Sequence, residues 1–392
     1  MHLLETYALN CGAKIAKPDI YQTFFPLPLE RYITFNADAS DAARNYDYWQ
    51  DVINILNPIL DKAGIKIVQL GDAKDQQYAD CVCIKGQASH NQWAYILNRS
   101  MLHFGADGFA MHLASSYDVP VVSLHSIAYV GLSKPYFGSP DKQVAFAGYE
   151  RTKNKPTFAS DENPKTINLI HPEEVAQAVM DLLKLPEKVA FETIFVGKKY
   201  TGYIIEESIP NDPKIMFNPD HQVEIRCDLG YDENAFLQQL GNYKKAIVVL
   251  DKPVNMNLLK RFRENIINIV VKITDENQYP FLKELMQLGK GIILISTLSE
   301  ERINELKIVY YEFGNINRIE GVLDEEIKKL KEEASNLFYR SAKVTASKGQ
   351  YFYSLAATEK DVPMKNHVEY QRVLDTPSFW ENLHCFTIVR PK

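Results

Sequence analysis

Long apolar runs are missing from this sequence: no stretch approaches the roughly 18–20 residues that a membrane-spanning helix needs. The first residues, Met1-His2-Leu3-Leu4-Glu5, have no basic region running into an apolar core, so no secretory signal is expected. Cysteine is scarce and scattered. Cys11, Cys81, Cys83, Cys227 and Cys385 are odd in number and lack the paired spacings of a zinc site or a disulfide framework. That usage fits a reducing compartment. Basic runs are absent and the net charge is −6, which disfavours non-specific binding to nucleic acid. Low-complexity tracts, fixed-period repeats and a D-x-D metal motif in the loops are also absent. The expected location is the cytoplasm or the periphery of a membrane.

What is present is an ordinary globular composition, 46% apolar and 24% charged over 392 residues, enough for two domains with real cores. Residues 30–185 alternate strand and helix, the pattern of an open parallel sheet. Strands are expected at 32–36, 65–70, 81–84, 102–105, 121–124 and 144–147. Helices are expected at 3–11, 48–63, 89–98 (with Ser89 as N-cap) and 171–183, and residues 125–166 are otherwise irregular. The second half alternates again. Strands are expected at 194–197, 201–206, 246–251, 266–273, 291–296, 307–313 and 351–355. Helices are expected at 257–265, 278–288, 299–306, 323–339 and 377–382, and residues 207–220 carry three prolines. The expected architecture is α/β, with two Rossmann-like domains, 1–188 and 189–392.

Residues 102–124 stand out. An apolar strand ends at Gly105, a turn Ala106-Asp107-Gly108 follows, and a short helix carries Phe109 and His112 before Asp118-Val119-Pro120 breaks it. A turn of this kind, at the carboxyl end of a parallel strand and opening onto a helix N-terminus, suits a phosphate group. Gly108 leaves backbone amides free, and His112 sits one turn in, able to donate to a pyrophosphate oxygen. Asp107 suits sugar hydroxyls, or holds the loop. The competing reading makes Asp107 a helix cap and His112 a core histidine.

The run from Gly86 through Trp93, Gly105-Ala106-Asp107-Gly108, His112 and Pro120-Val121-Val122 resembles the nucleotide-sugar-binding half of glycosyltransferase family nine, the heptosyltransferase-like enzymes. Residues 32–40, ending in Ser40, resemble that family's strand and small-residue loop. Arg44 falls near its lysine, and residues 170–179 resemble its closing helix. The likeness covers residues 1–185. It departs in three places. No hydroxyl residue separates Asp107 from Gly108, His125-Ser126 replaces a proline-rich loop, and Asn91 stands where relatives carry an acid.

The resemblance implies a GT-B-like fold, two Rossmann-like domains facing a cleft, here with the donor half first and the acceptor half in 189–392, as in a circular permutation. It implies a glycosyltransferase that moves a sugar from a nucleotide-diphosphate sugar to a surface glycan or lipid-linked saccharide, without metal or cofactor. The donor diphosphate and sugar fall to Gly105, Asp107, Gly108, Phe109, His112, Arg44 and Ser40. Nucleotide and loop contacts fall to Asn91, Ser126, Tyr129 and Lys134. The catalytic base is sought at Asp251, which ends a buried strand, with Asp228 and Asp232 as other carboxylates. Each has a plainer reading: a turn for Asp251, solvated charge for Arg44 and Lys134, packing for Tyr129 and Tyr136. The alternative for the whole chain is a non-catalytic binding or structural protein on a degenerate GT-B scaffold.

Overall fold

The computed structural model describes residues 1–392 apart from Asp19, Asp38, 197–203, 209–221, 320–323, Lys348 and 366–368. Asp38, the expected strand residues 201–203 and most of the proline-bearing segment 207–220 thus lie outside the described residues. Met1–Ile194 and Val389–Lys392 form one compact unit, and most of the remaining chain forms a second. No helix among the described residues is long and apolar enough to cross a membrane.

In the first unit the strands are β1 (Tyr32–Asn36), β2 (Lys66–Gln69), β3 (Val82–Cys83), β4 (His103–Ala106), β5 (Val121–His125) and β6 (Gln143–Ala147). They pair in the order β3-β2-β1-β4-β5-β6, all parallel. The helices are α1 (Leu3–Cys11), α2 (Trp49–Lys62), α3 (His90–Arg99), α4 (Phe109–Ser116), α5 (Val130–Ser133) and α6 (Pro172–Leu182). Trp49, Val52, Ile53, Leu56 and Leu60 of α2 recur at helical spacing and pack with Val175, Val179 and Met180 of α6 on one face of the sheet. Trp93, Ile96 and Leu97 of α3 pack with Ala110, Met111 and Leu113 of α4 on the other. Ser89 caps α3 as expected, its Oγ accepting from the Gln92 amide while Gln92 Oε1 accepts from the Ser89 amide.

This order has one reversal. From β1 the chain moves outward to β2, and from β4 it moves outward the opposite way to β5. The loops after β1 and β4 therefore diverge, leaving a crevice at the carboxyl ends of two adjacent strands.

His103 opens β4 at the far end of that strand, on the α3/α4 face. It is fully buried, Nδ1 lies 3.1 Å from Thr34 Oγ1, and Nε2 has no hydrogen-bond partner among the described residues. Burial pushes its pKa down to about 3. The folded state thus refuses a proton that the unfolded chain takes up below pH ~6.5. Stability from this residue is complete above that pH and falls as pH drops, by about 1.4 kcal/mol per unit, towards pH ~3. In His103→Leu the slope of unfolding free energy against pH between 6 and 4 should flatten by about that amount, whatever the offset. Denaturant titrations followed by Trp49 and Trp93 fluorescence measure it, and parallel slopes in the two proteins would refute it.

The second unit carries β8 (Ile204–Ser208), β9 (Val223–Arg226), β10 (Ala246–Leu250), β11 (Ile266–Lys272), β12 (Gly291–Ser296) and β13 (Ile316–Arg318), following β7 (Phe191–Val196). Its helices begin with α7 (Glu233–Asn242), α8 (Met256–Arg261), α9 (Tyr279–Met286) and α10 (Glu300–Val309). Strands β8 to β13 lie side by side in chain order and parallel. With right-handed crossovers, a progression in one direction puts its helices on one face. Phe236, Leu259, Leu282, Leu285 and Ile303 of these helices accordingly share one core with Val248, Leu250, Ile269 and Val271.

Beyond come α11 (Asp324–Glu332), β14 (Phe338–Ser341), β15 (Lys343–Ser347), β16 (Gln350–Phe352), α12 (Leu355–Glu359), β17 (Gln371–Arg372), α13 (Pro377–Glu381) and β18 (Phe386–Pro391). β15 extends the large sheet beside β8, with β16 antiparallel at its edge. β17, β14, β18 and β7 form a four-stranded sheet in that order.

Two expectations fail here. Residues 307–313 are not a strand: α10 runs to Val309, and a short turn, Tyr311–Phe313, follows. Ile303, Leu306 and Tyr310 are buried at helical spacing, whereas Ile308 is exposed, so the core-facing period outweighs the β-branched residues. The helix expected over 323–339 ends at Glu332, and Phe338–Ser341 is a strand. The strand β9 and helix α7 were not read from the sequence at all.

Candidate functional site

The crevice is built from three backbone segments: the loop after β1 up to Arg44, the turn after β4, and the chain after β5. Gly105 pairs with Asn36 across β1 and β4. A Cβ on Gly105 would press into the Asn36 carbonyl, with the carbonyl carbon only 3.0 Å away. Glycine is therefore what lets the two strands run close where their loops diverge. Gly108 is the N-cap of α4, with φ −171° and no side-chain cap bond. The amides of the first turn of α4, beginning at Phe109, are thus left without a capping side chain.

Arg44 reaches this turn from the β1 loop. Its Nη1 donates to the Asp107 carbonyl oxygen at 3.3 Å, and its Nη2 donates to Ser40 Oγ at 2.6 Å and pairs with Asp41 at 2.7 Å. Its Nε is buried and has no hydrogen-bond partner among the described residues. The guanidinium is therefore held in place with its Nε–H still unspent. Ser40 serves it as an acceptor.

Asp107 is 8% exposed. Its amide donates to the Leu124 carbonyl, extending the β4–β5 ladder by one residue. Its Oδ2 lies 3.3 Å from His125 Nδ1. Burial alone would raise the carboxyl. The His125 hydrogen bond and charge, the Ser133 hydroxyl and the Arg44 charge outweigh it, and the pKa is lowered overall. His112 is half-buried on α4, and burial holds its pKa below the usual histidine range against the opposing pull of Asp107. It is a neutral donor at pH 7. Phe109 is 50% exposed. Its ring stands 5.0 Å from that of His90 and 6.4 Å from that of Trp93.

The remaining expected residues occupy several settings. Ser126 is buried and donates to the Ala43 carbonyl at 2.9 Å, tying the β5 loop to the β1 loop. Tyr129 is exposed and stands edge-on to Tyr149 and Phe158. Lys134 is exposed, and its carbonyl oxygen lies 2.9 Å from His2 Nε2. Tyr136 donates to Glu5, so α1 brackets the same segment. Asn91 is exposed on α3, and its carbonyl accepts from the Thr23 amide.

Asp251 lies in the second unit, just past β10. Its carbonyl accepts from Gln278 Nε2 at 2.7 Å, and its Oδ1 is buried without a partner among the described residues. Asp228 is engaged by both Nε and Nη2 of Arg226, each at 2.7 Å. Asp232 caps α7, accepting from the Ala235 amide at 2.8 Å. Of the three carboxylates, only Asp251 has a buried oxygen without a hydrogen-bond partner among the described residues.

Sequence reasoning assigned no role to Ser123, His125 and Ser133. Ser123 and His125 are two apart on β5, so they share a face. A histidine closing an apolar strand was the available signal, but its neighbour Asp107 comes from another strand.

No family model matches the chain, and no curated protein matches it. Among solved structures it is similar to the family 9 glycosyl transferase from Veillonella parvula DSM 2008, at 19% identity, over 46% of this chain and 50% of that one, with a TM-score of 0.33. It is similar to the E. coli ADP-heptose lps heptosyltransferase II at 17% identity, over 46% and 51%, with a TM-score of 0.32. It is similar to the E. coli heptosyltransferase WaaC with ADP at 16% identity, over 45% and 54%, with a TM-score of 0.32. The chain thus spans about half the length of each of these structures.

Proposed function

We propose that this chain is a glycosyltransferase whose first unit holds the diphosphate of a nucleotide-diphosphate sugar at the reversal point of its sheet. The observation that carries this reading is the convergence there of an uncapped α4 N-terminus, the Arg44 guanidinium with its unspent Nε, and His112 on the first turns of α4. Helix amides and an arginine fork both suit phosphate oxygens, the first through free N–H groups and the helix dipole, the second through charge-assisted hydrogen bonds. Asp107 accepts from sugar hydroxyls, and Phe109 and Asn91 border the nucleoside. Transfer to an acceptor hydroxyl needs a base to take its proton while positive groups steady the departing diphosphate. In this reading Arg44, α4 and His112 meet the diphosphate without a metal, and Asp251 of the second unit is the base. The acceptor is a glycan or lipid-linked saccharide.

The test is a thermal-shift panel of nucleoside diphosphates and their sugars, followed by a transfer assay with the best binder. At a hundredfold excess over Kd, binding adds about 2.7 kcal/mol. For a unit of this size that raises the melting temperature by about 5–10 °C. A panel with no shift refutes the reading. Binding without turnover to any glycan or lipid-linked acceptor would leave a nucleotide-sugar-binding protein in its place.

A further inference from the structure

In a parallel ladder, residues in register stand side by side on one face. Gly105 pairs with Ser123 and Ala106 with Leu124, so Asp107 falls beside His125. His125 is 1% exposed. Its Nε2 lies 2.9 Å from Ser123 Oγ, on the same face of the same strand. Its Nδ1 lies 3.3 Å from Asp107 Oδ2 and 3.1 Å from Ser133 Oγ. With Ser123 donating to Nε2, the proton sits on Nδ1, beside both Ser133 Oγ and the carboxylate. A carboxylate offers about four lone-pair sites. His125 and Ser133 occupy two, and the Asp107 side chain keeps 11% of its surface exposed.

We propose that His125 is a positioning residue that fixes the Asp107 carboxylate so that its remaining lone pairs face the donor sugar. The proposal rests on the nucleotide-sugar reading above. His125 touches neither phosphate nor sugar, and it acts through Asp107. A flexible carboxylate at that place would swing between Arg44 and the sugar, whereas a carboxylate pinned by two donors presents one edge.

The experiment compares affinities for matched pairs, UDP with UDP-glucose, GDP with GDP-mannose and ADP with ADP-glucose, by titration calorimetry. The wild type should gain affinity from the sugar in one pair. His125→Leu should lose about tenfold for that sugar nucleotide, with the bare diphosphate changed less than twofold. His125→Asn, whose amide nitrogen stands near the Nδ1 position, should recover most of the loss. Ser123→Ala frees the ring to change tautomer and should lower the sugar's contribution by a few-fold, which keeps the test alive if His125→Leu does not fold. Equal losses for the diphosphate and its sugar, or no loss in any variant, overturn the positioning role. A wild type that binds none of the diphosphates overturns the donor reading itself, and the proposal with it.

Discussion

Gly105→Ala should lower the stability of the first unit by about 3 kcal/mol, the upper part of the usual range for forcing atoms into a packed interior. The added methyl would meet the Asn36 carbonyl oxygen and carbon and, at 3.2 Å, the Asn36 amide nitrogen. All three are backbone atoms of a central strand, so no side chain can turn aside to relieve the contact. Gly108→Ala is the control. Its φ of −171° is extended backbone that any residue adopts, and its Cβ would meet nothing nearer than the Ala106 carbonyl at 3.8 Å. The two glycines stand three apart in one turn and should behave oppositely. A loss of 3 kcal/mol corresponds to a fall of about 6–12 °C in Tm for a domain of this size. Trp49 and Trp93 report on the first unit, and Trp380→Phe silences the one tryptophan outside it. A Gly105→Ala protein melting within about 2 °C of its parent would show that β1 and β4 can part without cost.

Arg44→Met should weaken nucleoside diphosphate binding by about 10–100-fold, the worth of a charge-assisted hydrogen bond of 1.5–3 kcal/mol. Methionine keeps an apolar stem and removes the guanidinium, so packing changes little while the unspent Nε and the positive charge are lost. Arg44→Lys should recover only part of the affinity. A single ammonium cannot hold Ser40, Asp41 and the Asp107 carbonyl in a planar fork and also meet a phosphate. Asp41 would lose its cationic partner in the methionine variant, but it keeps the Ser40 hydroxyl, is 31% exposed, and its charge is screened by water and salt. Calorimetry at two salt concentrations, with Tm as the check on folding, measures both effects. Unchanged affinity in Arg44→Met would make Arg44 a loop brace and nothing more.

Much of the molecule was legible in the sequence because its signals are local. Helical spacing in Trp49, Val52, Ile53 and Leu56 needs only one turn of context, as does the Ser89 cap. The alternation of strand and helix in residues 30–185, and the glycine turn at 105–108, are read within a dozen residues. Misreadings came where two local signals competed. Ile308 and Val309 favour a strand, but Leu306 and Tyr310 on the core face kept the helix going. Strands β14, β15, β17 and β18 were missed, and most of their partners are remote: β18 pairs beside β7, which lies nearly two hundred residues earlier in the chain.

The sequence by itself therefore determined the α/β class, the turn at Gly105–Gly108 and a histidine one helical turn past it. The tertiary structure decided what those residues do. Strand order put the reversal between β1 and β4, and so brought Arg44 to a carbonyl 63 residues further on. Register set Asp107 beside His125, turning a loop aspartate into one held by a buried imidazole. Both outcomes depend on which strands pair and in what alignment. That is settled by the summed burial of two sheet faces, a quantity no short stretch of sequence contains.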